Sequence, residues 1–137
     1  MGADRLGITF NGTIHETLGI EIVDAGPDRV VLQMPVGPPV HQPMGLLHGG
    51  ASAVIAESAA SIGTYLNCDP ERQYAVGVEL NVSHLRSRSD GTITATATPV
   101  RKGRSMHVWG ISIEDDDGQG VAVARCTLAI RNLPGTT

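Results

Sequence analysis

Residues 42–67 read QPMGLLHGGASAVIAESAASIGTYLN, and few elements can accommodate that run. From Gly49 to Cys68 nearly every residue is small or apolar, with a single charge, Glu57, near the middle. The Pro/Gly-rich stretch GPPVHQPMGLLHGG before it continues neither strand nor helix. The segment therefore predicts one helix of roughly 17 residues, about 26 Å long at 1.5 Å per residue. Ala53, Val54, Ile55, Ala56, Ala59, Ala60, Ile62 and Leu66 leave it no broad polar stripe, which is the mark of a buried helix. Burying a lone carboxylate is expensive unless it is paired or its pKa moves. Glu57 is therefore either half of a buried ion pair, exposed at a helix end, or placed there for chemistry.

Strand patterns surround the helix. A short turn or helix precedes a hairpin with strands near 20–25 and 28–36, turning at Gly26-Pro27-Asp28. After CDPERQ, strands are expected at about 73–85, 91–100, 106–115 and 120–131. Val76, Val78, Leu80 and Val82 alternate, as do Ile93, Ala95 and Ala97. Asp116-Asp117-Gly118 marks a hairpin turn. Successive strands with one long helix inserted early predict an α+β domain, an antiparallel sheet with its helices on one face.

The helix entry carries the next signal. His48-Gly49-Gly50 stands where loop becomes helix, and glycines there let a ligand approach the backbone. Free N–H groups and the helix dipole favour negative charge at that point, including an oxyanion developing on a carbonyl. A tight turn alone would also account for Gly49-Gly50. A carboxylate, an oxyanion site and a flanking amide, Gln42, together suggest acyl transfer. Eight residues separate Gly49 from Glu57, about 12 Å along one helix, so one carbonyl cannot meet both. If the site is real, a second subunit must supply one half across a two-fold axis, giving a dimer with two shared sites.

Composition narrows the alternatives. The chain has 137 residues, 41% of them hydrophobic and 18% charged, which fits one globular domain over 1–137. A net charge of −4 argues against general nucleic-acid binding. Glu57 and many Gly, Ser and Thr residues break the longest mostly uncharged run, so a membrane span is not expected. MGADRLGITF lacks the basic start and apolar stretch of a signal peptide. Cys68 and Cys126 fit no metal or disulfide framework, which suits a cytoplasmic location. The five histidines show no i, i+4 pair, and no G-x-S-x-G, G-x-G-x-x-G or P-loop is present.

The block Gln42 … His48-Gly49-Gly50 … Ala56-Glu57-Ser58 … Ser61, extended by NVSHLRS and VRKGRSMHVW, resembles the signature of hotdog-fold acyl-CoA thioesterases of the PaaI type. It is closest to the branch of the 4-hydroxybenzoyl-CoA and 1,4-dihydroxy-2-naphthoyl-CoA thioesterases. The likeness runs from about residue 17 to 131, and the ends outside it are expected to be flexible. It implies a sheet wrapped around a central helix, with dimers pairing into homotetramers. It also implies an aromatic or bulky acyl-CoA substrate and no separate cofactor, coenzyme A being part of that substrate. By position, Glu57 matches the catalytic carboxylate, as nucleophile or general base. Gly49 matches the residue whose N–H polarises the carbonyl, and Gln42 and His48 match the positions that orient the thioester. Ser61 matches the residue that holds the attacking water. A helix-entry histidine held by backbone and a small packing serine are the plainer readings of His48 and Ser61.

Arg86, Arg88, Arg101, Lys102 and Arg104 are five of ten basic residues within 19 positions of an acidic chain. Arginine suits phosphates, although such a run is also what a solvated strand end looks like. The resemblance assigns coenzyme A to His84, Leu85, Arg86, Ser87 and the loop Arg101, Lys102, Gly103, Arg104, Ser105, Met106, with Gly77 near the pantetheine arm. Alternation would point Arg88 away from some of the others. Two other functions fit the same fold: a non-catalytic acyl-CoA-binding module, and a hydratase or dehydratase. The second would need a His/Asp or His/Glu pair on a different motif.

Overall fold

Ile93, Ala95 and Ala97 alternate with threonines, and all three are fully buried. The structure, a computed structural model, describes residues 6–135, and the flexible chain ends expected from the sequence lie partly outside that range. Its elements are α1 (Ile14–Leu18), β1 (Glu21–Gly26), β2 (Arg29–Pro35), a 3-10 turn (Pro38–Val40), α2 (Gly49–Tyr65), β3 (Gln73–His84), β4 (Thr92–Lys102), β5 (Met106–Glu114) and β6 (Gly120–Asn132). The helix has the 17 residues expected. The hairpin at the β5–β6 turn closes with Gly118 at φ 76°, a left-handed conformation that glycine adopts without strain.

The six strands form one antiparallel sheet in the order β1-β2-β4-β5-β6-β3. One row of paired residues runs across it: Leu32 with Ala95, Ala95 with Ile113, Ile113 with Ala122 and Ala122 with His84. α2 lies along one face and touches all six strands. Its Ile55, Ala56, Ala59 and Ala60 are fully buried against Leu32, Met34, Ile93, Trp109, Ile113 and Leu128. The small helix residues set that distance. A methyl on Gly63 would overlap the ring of Trp109, whose Nε1–H donates to Thr64 Oγ1 at 2.9 Å. No helix among the described residues is long and apolar enough to cross a membrane.

The edge strand β3 departs from the alternation that its sequence suggests. Val76 and Val78 are 41% and 56% exposed, whereas Leu80 and Val82 are half-buried. The pairing with β6 explains the break: Gly77 faces Leu128 and Glu79 faces Thr127, leaving Val78 as the extra residue of a bulge. A bulge reverses which parity faces inward. Gly77 before it and Leu80 after it both turn towards α2, opposite the buried Leu128 and Cys126.

Candidate active site

Thr13 and Glu16 start the short helix that closes one side of the first cleft. The Thr13 hydroxyl accepts from His15 N–H, and Gly12 N–H donates to Glu16 Oε2 at 2.6 Å, an arrangement close to a capping box. Between this segment, α2 and β3 lies a cleft of about 650 Å³. Glu57, Ser61 and Gly77 all line it. The Glu57 carboxylate rests on the backbone of Gly77: a side chain there would occupy the position of Glu57 Oε1. Glu57 is half-buried and has no hydrogen-bond or ion-pair partner among the described residues. Its charge is felt nearby. Burial, then the charges of Glu57 and Glu79, push the Cys126 thiol up to about 12.

The second cleft, about 340 Å³, opens at the N-terminus of α2 and is lined by Gln42, Gly49, Ser52, His84, Leu85, Arg86 and Ser87. Here the first-turn N–H groups can be accounted for one by one. Gly50 N–H donates to Nδ1 of His48, the N-cap, at 2.7 Å, and Ala51 and Ser52 N–H both reach the His48 carbonyl. The Gly49 N–H alone has no acceptor among the described residues. The His84 imidazole stands over it, with Nε2 2.8 Å from where a Gly49 methyl would sit. His48 is thus the helix-entry histidine, and because its Nδ1 accepts, its remaining proton is on Nε2. Gln42 is set the same way: its Oε1 accepts from Met44 N–H at 2.5 Å, which leaves its amide N–H groups to donate into the cleft.

The remaining sequence candidates lie elsewhere. β4 and β5 meet at a tight turn where Gly103 N–H donates to the Met106 carbonyl at 2.9 Å. Arg104 and Ser105 line a third cleft with Gln73, Ile130, Arg131 and Asn132, at the start of β3. Arg86 and Ser87 follow the other end of β3, roughly 35 Å away along a twelve-residue strand. Lys102 is engaged by Asp28 at 2.6 Å and Asn67 at 3.3 Å. Arg101 and Met106 are exposed. Arg88 turns to Asp115 and Asp90, at 3.5 Å each. One chain thus divides these residues into three places: Glu57 with Ser61 and Gly77, the helix entry with His84 to Ser87, and the loop after β4.

Sequence reasoning missed the wall of the Glu57 cleft. Ile8, Phe10, Ile14, His15, Ser58 and Tyr74 line it. His15 Nε2 lies 2.8 Å from Ser58 Oγ, 43 residues away in the chain, and no local pattern signals a contact of that span. Burial holds the His15 pKa below its ordinary value.

Comparison with known proteins agrees with the geometry. The family model for the Thioesterase superfamily matches residues 44–122. The chain is 43% identical over 118 residues to the 1,4-dihydroxy-2-naphthoyl-CoA hydrolase of Listeria monocytogenes, covering 86% of this chain and 95% of that one. Among solved structures it is similar to a mutant of thioesterase PA1618 from Pseudomonas aeruginosa, with TM-score 0.91, 39% identity, and 97% and 96% of the two chains covered. It is also similar to the PaaI protein of the E. coli phenylacetic acid degradation operon, with TM-score 0.78, 25% identity, and 92% and 88% covered. With the long helix cradled by a six-stranded sheet, these place the chain in the thioesterase superfamily, as a thioester hydrolase with the hotdog fold.

Proposed function

We propose that this protein hydrolyses aromatic or otherwise bulky acyl-CoA thioesters to the free acid and coenzyme A, at sites shared between two copies of the chain. The observation that carries the reading is the division of α2. Among the described residues, the N–H at its entry has no acceptor and the carboxylate eight residues on has no partner, each in its own cleft. About 12 Å separates them on one helix, too far for one carbonyl group. A second helix running antiparallel brings the Gly49 of one copy to the Glu57 of the other.

The edge strand supplies the means. β3 is paired on one side only, and Tyr74, Val76 and Val78 are exposed on it. An unpaired edge of this length is a template for a second strand. Antiparallel pairing of two β3 strands sets the beginning of one beside the end of the other. It thereby joins the Arg104 loop of one copy to the His84–Ser87 segment of its partner, and a phosphate-bearing coenzyme fits the resulting basic rim. Pairing of two such dimers gives the tetramer.

In this arrangement the thioester oxygen points at the Gly49 N–H, where the helix dipole and the amide of Gln42 stabilise the charge that develops. Glu57 then acts in one of two ways. It attacks the carbonyl carbon and forms an anhydride that water opens, or it takes a proton from a water held by Ser61, which attacks instead. Either way the carbon–sulfur bond breaks and the thiolate of coenzyme A leaves. No cofactor besides the substrate's own coenzyme A takes part.

The test is free-thiol release from benzoyl-, 4-hydroxybenzoyl-, phenylacetyl-, hydroxynaphthoyl- and aliphatic CoA esters. Glu57→Ala is expected to keep fold and assembly and to lose at least about 10²-fold in kcat, the scale of general-base contributions. Turnover that survives in Glu57→Ala, or is confined to short aliphatic esters, overturns the reading.

A further inference from the structure

The hydrogen bonds behind Ser58 fix the direction of every proton in that wall of the cleft. Thr13 Oγ1 lies 2.6 Å from the Phe10 carbonyl, so its one proton is committed there, since two oxygen lone pairs would repel at that distance. The same oxygen lies 3.2 Å from His15 Nδ1, and having no second proton to give it must accept. Nδ1 therefore carries the hydrogen, and in the neutral ring Nε2 is a bare acceptor. Burial, which lowers the His15 pKa, keeps the ring neutral. Phe10 stacks on the imidazole at 4.4 Å and 12°, holding its plane. Ser58 Oγ, 2.8 Å from Nε2, must then donate its only proton to His15. What it has left for the cleft is lone pairs.

The surroundings give that acceptor a purpose. Ile8, Phe10, Ile14, Val54 and Ile62 make the wall largely apolar, and the α2 residues lining it run from Val54 to Tyr65, about 16 Å of helix. Such a trough holds one or two fused rings. Ser58 and Glu57 line the same cleft, so an acyl group seated in the trough lies against both.

We propose that Ser58, oriented by His15 and Thr13, is the specificity-determining residue of the acyl pocket, accepting a hydrogen bond from a hydroxyl on the acyl ring. This rests on the acyl-CoA thioesterase reading above. A pocket that offers only an acceptor rewards a donor on the substrate. It discriminates against the same ring bearing hydrogen or a methoxy group, which leave the oxygen unpaired.

The experiment compares kcat/KM for matched CoA esters: 2-, 3- and 4-hydroxybenzoyl, the corresponding methoxybenzoyl isomers, and benzoyl. The ratio within each variant is the readout, so a general loss of activity cancels. In the wild type, one hydroxy isomer is expected to exceed both its methoxy counterpart and benzoyl by about 5- to 10-fold, the scale of one neutral hydrogen bond. Ser58→Ala brings that ratio to about one. His15→Phe keeps a ring against Phe10 but frees the Ser58 proton, so the methoxy ester gains relative to the hydroxy ester. A merely structural His15 would not produce that reversal. A hydroxyl preference that survives Ser58→Ala, or that disappears in Tyr65→Phe instead, overturns the proposal while leaving the thioesterase standing. A wild type that releases thiol from none of the CoA esters overturns both.

Discussion

At Gly77 the edge strand meets the central helix through a side chain, because the Glu57 carboxylate takes the place of the side chain that glycine lacks. That contact separates activity from stability. A methyl group at residue 77 meets the end of a flexible side chain rather than backbone, so the carboxylate yields and the fold does not. Gly77→Ala is therefore expected to melt close to the wild type and, with Glu57 in the role proposed above, to lose about 10-fold or more in kcat, since misplacing a reacting group by about 1 Å is costly. A loss of melting temperature with kcat intact would show that Gly77 serves packing alone. At this scale the sequence was legible where a residue contradicted its surroundings. Glu57 was conspicuous as the one charge in an apolar helix. His15 was not, because a histidine in a polar turn is unremarkable until the fold brings Ser58 against it.

Elements were easier to read than their consequences. The strands and the helix fall within a few residues of their periodicity, since one face of each is buried against the other. The bulge at Val78 was hidden, because Val76, Val78, Leu80 and Val82 alternate without a break and only pairing with β6 shows the extra residue. The fit of α2 against the sheet gives one test. Gly63→Ala drives a methyl into the fully buried Trp109 ring, and overpacking of this kind costs about 1–3 kcal/mol in denaturant unfolding. The β5–β6 hairpin gives another. Asp115 Oδ1 accepts from the N–H groups of Gln119 and Asp117, and Arg88 stands 3.5 Å from Oδ2. The bond from Gln119 is the largest of these influences, and together they hold the Asp115 carboxyl below the usual carboxylate range. A lowered pKa in the folded state stabilises the protein above the unfolded value of about 4, and that stabilisation is lost as pH falls through the folded value. Asp115→Asn should therefore lower the melting temperature at pH 7, with the gap to wild type narrowing below about pH 4. A gap that stays constant with pH would mean that the carboxylate charge contributes nothing there.

At the scale of the whole molecule, the proposed site draws on three clefts that a single chain keeps apart. The basic residues that lie together in the sequence, Arg86 to Arg104, end at opposite ends of β3, so their proximity along the chain was misleading about their proximity in space. The eight-residue spacing of Gly49 and Glu57 was the better guide, because helical rise turns a count directly into a distance. The same spacing gives a decisive test. Gly49 is the first residue of α2, where proline is favoured, and the preceding His48 has φ −71° and ψ 131°, which proline tolerates behind it. Gly49→Pro thus deletes the unpartnered N–H at a position that suits proline, and the side chain its Cβ meets is the exposed His84 ring. Gly49→Pro and Glu57→Ala should each be nearly inactive alone. In a mixed dimer of the two, one site combines both defects, and the other combines the intact Glu57 of one chain with the intact Gly49 of the other. Random mixing by co-expression makes half of the dimers mixed, each with one working site, so about a quarter of wild-type activity should return. If each chain built its own site, every site in the mixture would carry one defect, and no activity would return.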